Sequence, residues 1–340
     1  NVTNFDWLSR FFYWDKAKPE PVYLSIYHRI QYRLGIGPII KSIENDLINT
    51  SKSLKPDIIW FYNVRLISAR TLEFLKKEVP DTILIQYAND NPFTEDNIRF
   101  YWYKFLNTIQ FFDINLTYRF NNFKDYERYG AKNIHLLRSY FLPESDYPED
   151  INNIPKNYIC DVVFAGHYEN DGRVEILEEI CNAGYKLNLF GGGWNKALET
   201  LKEDSPLLEK FPIFPVLNED YRYAICGAKV ALCFFSKLNN DSYTRRNFQI
   251  PAMKVAMLSE YSDDLASIYK DNQEAMFFKD KNQLLFKLSN LLKDECLRNS
   301  IAENGYKRVY SSGHDVDSRM KNLLSIIDSH SKMNKIEAKA

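Results

Sequence analysis

Short apolar runs, each closed by a polar or turn segment, recur through the first half of the chain. Residues 58–62, 82–87, 114–117 and 134–137 are such runs, bounded by Pro56-Asp57, Pro80-Asp81, Asp113 and Gly130. Runs this short and apolar throughout, set between turn residues, read as parallel strands buried on both faces. Helical patterns at 69–77 and 99–108 lie between them, so strand and helix alternate. From 142 to 155, Pro143, Pro148 and Pro155 among acids and asparagines break every periodicity, and a linker is expected there. A second alternation begins at Cys160. Strand 160–166 leads to helix 173–183, strand 186–190, three glycines at 191–193 and helix 196–202. Helix 219–227, strand 229–235, a short helix 248–253, strand 255–259, helix 263–269 and strand 275–278 follow. Two amphipathic helices, 281–293 and 295–309, precede a final helix over 315–329, and the tail 331–340 is expected to fray.

This order predicts an α/β protein with two doubly wound, Rossmann-like domains facing each other across a cleft. A first domain is expected over 1–152, a second over 153–312, and a helix over 313–340 packing back toward the first. A length of 340 residues agrees, being too long for one ordinary core. Ligands of such folds bind at the carboxyl ends of the strands. Gly166-His167, Gly191 to Gly193 and Ser242 to Arg246 each follow a predicted strand.

Composition narrows the function classes. Hydrophobic residues make up 45% and charged residues 26%, as in globular proteins, so neither a disordered nor a fibrous chain is indicated. A net charge of -1 supplies no long-range field for nucleic acid or anionic lipid, so phosphate recognition should be local. Cys160, Cys181, Cys226, Cys233 and Cys296 are scattered, without a CxxC or Cys/His cluster. Free thiols in a reducing cytoplasm are expected, with no structural zinc and no disulfide framework. No apolar run approaches the roughly 18 residues of a spanning helix, and the N-terminus lacks a signal-peptide pattern. Any membrane contact, at the inner face, should be peripheral.

The richest chemistry lies between Asn239 and Glu260. A polar loop holding an acid, hydroxyls and paired arginines runs into the short helix and then into an apolar strand. Such a junction suits phosphate. Free backbone N–H groups and the positive helix end attract an anion, and Thr244, Arg245 and Arg246 offer hydroxyl and guanidinium donors. Paired loop arginines are also common as solvated surface charge.

The order of motifs resembles bacterial GT-B glycosyltransferases, in particular the group related to the spore protein CgeB with a C-terminal domain of the "glycosyl transferases group 1" type. Segments KPDIIWFY, ILIQYANDNPF and FFDINLTYRFNNFKDYERYGAKNIHLL match its N-terminal pattern. DVVFAGHYENDGRVEILEEICNAGYKLNLFGGGW, NNDSYTRRNFQIPAMKVAMLSEYSDDL and IAENGYKRVY match its C-terminal pattern. The resemblance implies transfer of a sugar from a UDP- or GDP-sugar, held mainly by the C-terminal domain, to a glycan, lipid-linked or protein acceptor of the cell surface. It implies a retaining, metal-independent reaction without a cofactor. No DxD-type metal motif stands in a suitable setting, and Asp263-Asp264 reads as the first turn of a helix.

On this resemblance Arg245 would offset charge on the leaving nucleoside diphosphate, supported by Arg173, His167 and Thr244, with Gly166, Ser242, Tyr243 and Arg246 completing the donor turn. Many retaining GT-B enzymes carry two glutamates a short, fixed distance apart. Alignment places Gln249 at the second position and Asp241, eight residues earlier, at the first. Gln249 can hydrogen-bond ribose hydroxyls without a charge, and Asp241 is one methylene shorter than Glu. Gly191, Gly192 and Gly193 beside Trp194 allow close approach of donor or simply a tight turn. Tyr221 stands where the base packs, or is a core tyrosine. Asp90, within Asn89-Asp90-Asn91-Pro92, would serve the acceptor hydroxyl or form an Asx-turn. His28 and His135 are expected to be structural. Family members open with a strand and a glycine turn, whereas this chain opens at NVTNFDW, which looks like the second strand, so the domain's first strand is expected to be missing. Two rivals stand beside the transferase: a nucleotide-sugar 2-epimerase, disfavoured by five scattered histidines, and a non-catalytic nucleotide-sugar-binding module, favoured by Gln249 and Asp241.

Overall fold

In the computed structural model, which describes residues 2–15, 21–63, 65–94 and 99–337, the apolar runs of the first half form a parallel sheet. By its contacts the chain divides into two units, Asn1–Arg138 with Ser325–Ala340, and Ser139–Leu324. The first unit opens with an antiparallel hairpin, β1 (Phe12–Tyr13) and β2 (Val22–Tyr23), followed by α1 (Ile26–Leu34) and α2 (Pro38–Leu54). Then come β3 (Ile58–Tyr62), α3 (Ala69–Glu78), β4 (Ile83–Ala88), α4 (Arg99–Thr108), β5 (Ile114–Thr117), α5 (Phe123–Arg128) and β6 (Ile134–Leu136). Their sheet has the order β3-β4-β5-β6, parallel throughout. Ile43 and Leu47 of α2 and Leu72 and Leu75 of α3 bury against Phe61 and Leu84, which is why those strands are apolar on this face. Residues 2–7 form no strand, contrary to the reading of NVTNFDW.

The second unit contains β7 (Cys160–Ala165), α6 (Arg173–Asn182), β8 (Leu187–Phe190), α7 (Asn218–Cys226), β9 (Ala228–Cys233), α8 (Arg246–Ala252), β10 (Ala256–Glu260), α9 (Asp263–Ile268), β11 (Met276–Phe278), α10 (Lys281–Lys293) and α11 (Glu295–Ser311). Helix α12 (Val316–Glu337) passes from the second unit into the first, where His330 meets Asn133 at 3.3 Å. The expected fraying from 331 is not seen as far as Glu337, and 338–340 lie outside the described residues. The predicted helix 196–202 is a 3-10 turn, Trp194–Glu199, started by Gly193 in the left-handed conformation.

The second sheet is parallel with the order β11-β10-β9-β7-β8. The strand order reverses between β7 and β9, so the loops after these two strands diverge and leave a crevice at their carboxyl ends. The expected linker is built into this unit: Phe141 bridges Asp315 in parallel and Asp146 is buried. Leu284, Leu288 and Leu291 of α10 recur at helical spacing and close the core over Val230, Leu258 and Phe278. Asp280 caps α10 through the Gln283 N–H at 2.9 Å, and Asp294 caps α11 through Leu297 at 2.9 Å.

Leu288→Ala should lower the stability of the second unit by about 2–5 kcal/mol in urea unfolding, because it opens a cavity in a fully buried layer. Phe286→Ala, on the exposed side of the same helix, should stay within about 0.5 kcal/mol of the parent. Equal losses would show that α10 is not seated as described.

Candidate functional site

Two glycine turns meet at the carboxyl ends of β7 and β8. The Gly166 N–H donates to the Phe190 carbonyl at 2.8 Å, and the Gly166 carbonyl accepts from the buried Trp194 indole at 2.9 Å. Gly191 has φ +145°, and a Cβ there would lie 1.9 Å from the Gly166 oxygen. Only glycine permits that approach. A Cβ on Gly192 would stand 3.1 Å from the His167 ring, and the Gly192 carbonyl accepts the Tyr168 N–H at 3.0 Å. Among the described residues the N–H groups of His167, Gly192 and Gly193 donate to no other group of the protein. Clustered open N–H groups at strand ends favour an anion.

Arginines brace these turns. Arg173, buried, pairs with both oxygens of Asp171 at 2.7 Å, donates to the His167 carbonyl at 2.5 Å and reaches the Phe235 carbonyl at 3.3 Å. It ties the loops after β7 and β9 across the crevice. The expectation that its guanidinium contacts ligand is therefore corrected, since Asp171 and two carbonyls occupy it. Arg246 donates to the Phe234 carbonyl at 3.1 Å, and its Nη1 would be 3.2 Å from a Cβ on Gly166. Desolvation, then the fields of Arg246 and Arg173, hold the His167 imidazole below the ordinary histidine pKa.

The loop 239–260 is organised by Asn247, which is fully buried. Its Oδ1 accepts the Thr244 N–H at 2.7 Å and its Nδ2 donates to Ser259 Oγ at 2.9 Å. Pro251 lacks the N–H that would bond the Asn247 carbonyl one turn back in α8, and the Tyr269 hydroxyl takes its place at 2.8 Å. Three predicted ligand contacts are turned inward here. Thr244 Oγ1 lies 3.2 Å from Cys233 Sγ, Tyr243 is buried edge-on to Phe248, and Ser242 Oγ donates to Asp264 at 2.8 Å. The start of α8 closes on itself through Asn247 N–H to the Thr244 carbonyl and Phe248 N–H to the Arg245 carbonyl. The expected anion seat at that helix end is thus partly consumed, and the glycine turns supply the open N–H groups instead.

Arg245 is exposed, its guanidinium over the Tyr140 ring at 4.9 Å from the centroid. Gln249 donates to both Asp146 oxygens at 3.0 and 3.2 Å and accepts from the Tyr221 hydroxyl at 3.3 Å. Burial raises the Asp146 pKa, opposed by the Leu142 N–H, Gln249, Arg245 and Arg222, and burial likewise raises that of Tyr221. Asp146 gave no sequence signal within its proline-rich stretch. Glu260 and Glu169 were also missed; they hold the loop after β9 through the Phe235 N–H at 2.5 Å and the Lys237 N–H at 2.9 Å. Asp241, half-buried, donates its N–H to the Ser236 carbonyl at 2.9 Å. Asp90 belongs to the first unit, exposed after β4, where Asn63 Nδ2 reaches it at 3.4 Å; the Asx-turn is made by Asn91, which accepts the Phe93 N–H at 3.1 Å.

Gly191→Ala should cost about 2–4 kcal/mol through the clash with the Gly166 carbonyl, against about 1–2 kcal/mol for Gly184→Ala, where φ is also positive but nothing lies within 4 Å. Urea midpoints compare them, and equal costs would refute the close approach. For Asp146 the folded pKa is raised, so its protonated form is favoured by folding. Wild type should lose stability relative to Asp146→Asn as pH rises from below the ordinary carboxylate range through the raised value, and the difference should be flat above it. A difference that grows in the opposite direction would contradict burial as the dominant cause.

Residues 173–325 match the model of the family described as glycosyl transferase-like. No curated protein matches the chain. Among solved structures, HepE from Anabaena, in complex with UDP-glucose, superimposes with a TM-score of 0.66 at 10% identity, over 86% of this chain and 84% of that one. Sucrose-phosphate synthase from Thermosynechococcus elongatus gives 0.64 at 10% identity, over 89% and 79%. The α,α-trehalose 6-phosphate synthase of Burkholderia multivorans gives 0.63 at 12% identity, over 92% and 78%. The chain thus carries a glycosyl transferase-like segment over residues 173–325 and has the two-domain, Rossmann-like GT-B fold of these structures.

Proposed function

We propose that this protein transfers a sugar from a UDP- or GDP-sugar to a hydroxyl of a glycan, lipid-linked or protein acceptor, with retention and without a metal. The observation that carries the reading is the convergence, at the carboxyl ends of β7, β8 and β9, of open N–H groups from His167, Gly192 and Gly193 with the His167 ring and Arg246. The likeness to HepE, which holds UDP-glucose, supports the donor class.

As the bond from the sugar's anomeric carbon to the diphosphate oxygen breaks, negative charge grows on the leaving diphosphate. Backbone dipoles already fixed in place and cationic side chains stabilise that charge without reorganising. Arg246 and the glycine turns would meet the phosphate nearest the sheet, and exposed Arg245 would close on the other. Arg173 positions rather than binds. Gln249 has its amide nitrogen committed to Asp146, so its carbonyl oxygen, beside the Tyr221 hydroxyl, is left to accept from ribose. Asp241 would stand near the transferred sugar. Asp90 is the acid that the first unit would offer an acceptor hydroxyl.

Calorimetry with UDP-glucose and GDP-mannose tests the reading. One of them should bind, and Arg245→Ala should weaken it by about 1.5–3 kcal/mol, the worth of a hydrogen bond to a charged group. Unchanged affinity would remove Arg245 from the site. Asp241→Asn should lower turnover, measured as donor hydrolysis or transfer, more than affinity; equal loss of both would leave Asp241 a structural acid. Binding of neither donor, with no hydrolysis, would sink the transferase reading of this site.

A further inference from the structure

Helix α1, IYHRIQYRL, is oriented against its own polarity. Ile26, Ile30 and Leu34, at successive i+4 positions, are 78%, 49% and 41% exposed, whereas Gln31 is only 4% exposed. A surface helix ordinarily buries its apolar stripe. The inner contacts explain the inversion. Gln31 Oε1 accepts the Ile39 N–H at 2.9 Å and its side chain fills the space above Gly37, where a Cβ would lie 2.2 Å away. Tyr32 stacks with Trp7 and packs on Phe11, Phe12 and Tyr23. These contacts leave the stripe, about 12 Å long at the helical rise, facing outward.

The surroundings of the stripe are apolar, aromatic and basic. Leu24 precedes the helix and Ile36 follows it, both exposed, as are Tyr27 and, on the hairpin leading into α1, Tyr13 and Trp14. Arg29 and Arg33 are exposed one turn apart, each three residues beyond a stripe position, and α1 contains no acid. Of the acids in this part of the chain, Asp46 pairs with Arg10 at 2.7 Å and Asp6 accepts the Ser9 N–H at 3.3 Å, while Asp15 follows Trp14, so the basic character of the face rests on Arg29 and Arg33. The whole-chain charge of -1 conceals this local positive face. A second copy packed on the stripe by a two-fold axis would bring the arginine rows of both copies together. An anionic bilayer surface answers the same features without that repulsion, since Trp and Tyr favour the headgroup region and Arg favours acidic lipid.

We infer that α1, with Tyr13 and Trp14 before it, docks the protein on the surface of an anionic membrane, the apolar stripe entering the headgroup boundary and Arg29 and Arg33 meeting lipid phosphates. No helix among the described residues is long and apolar enough to cross a membrane, and this contact lies in the plane of the interface.

Sedimentation of the full chain with vesicles tests this. The protein should pellet with phosphatidylcholine vesicles containing phosphatidylglycerol, less so at high salt, and not with phosphatidylcholine alone. The double substitutions Ile30→Asp/Leu34→Asp and Arg29→Glu/Arg33→Glu should each reduce partition by about tenfold or more. Their melting temperatures and donor affinities should match the parent's, because these side chains are exposed. Phe286→Asp, at an exposed apolar site of the other unit, should leave partition unchanged. Absence of binding to the mixed vesicles, or binding that survives both double substitutions, would overturn the inference. A concentration-dependent dimer in free solution that Ile30→Asp/Leu34→Asp dissolves would overturn it in favour of a second copy.

Discussion

The glycine-only contact between Gly191 and the Gly166 carbonyl governs the second unit's functional end. With no Cβ on either residue, the turns after two adjacent strands approach until the Trp194 indole can bridge them at 2.9 Å, and the backbone beyond each turn is forced outward. The open N–H groups of His167, Gly192 and Gly193 follow from that geometry rather than from any helix end. Arg173 then fixes the same turn from below. Its buried guanidinium spends its donors on the bidentate partner Asp171 and on two carbonyl oxygens, so the protein alone fixes its position.

The loop after β9 obeys a different constraint. Pro251 prevents α8 from completing its own hydrogen bonds, so the freed Asn247 carbonyl must be satisfied from outside, and Tyr269 does it. Asn247 in turn holds the Thr244 N–H and the Ser259 hydroxyl. This network turns Ser242, Tyr243 and Thr244 into internal struts and leaves Arg245 as the outward group of the stretch. One arginine pair thereby splits into two roles: Arg246 is drawn back over Phe164 toward the Gly166 turn, and Arg245 remains exposed over Tyr140.

Much of the architecture was legible because it depends on short-range pattern. The apolar runs at 58–62 and 114–117 coincide with β3 and β5, and the helix at 281–293 coincides with α10, since burial on both faces or along one stripe writes itself into composition. Gly191 was legible for the same reason, since its φ and its approach to the Gly166 carbonyl leave no room for a Cβ. Direction was not legible. Nothing in SYTRR says which side chains face in, because that is decided by Asn247 and by Pro251 a turn later. Asp146 was invisible because its partner Gln249 is 103 residues away. Helix 196–202 failed because Gly193 starts a 3-10 turn immediately after β8, before a full helix can form. Helix α1 carries a helical period, but period alone does not say which face is buried.

Asp146 shows how a departure from a familiar pattern is absorbed. A glutamate at 249 would lie against a buried carboxylate, and two like charges at that distance would push one of them to hold a proton. Glutamine removes the conflict: its amide nitrogen satisfies both Asp146 oxygens, which fixes the amide's orientation and points its carbonyl oxygen to Tyr221. The carboxyl group thus stands at Asp146 rather than at 249, where burial raises its pKa against the Leu142 N–H, Gln249, Arg245 and Arg222. An anion that drew Arg245 toward itself would weaken that opposition and couple the occupancy of the crevice to the protonation of Asp146.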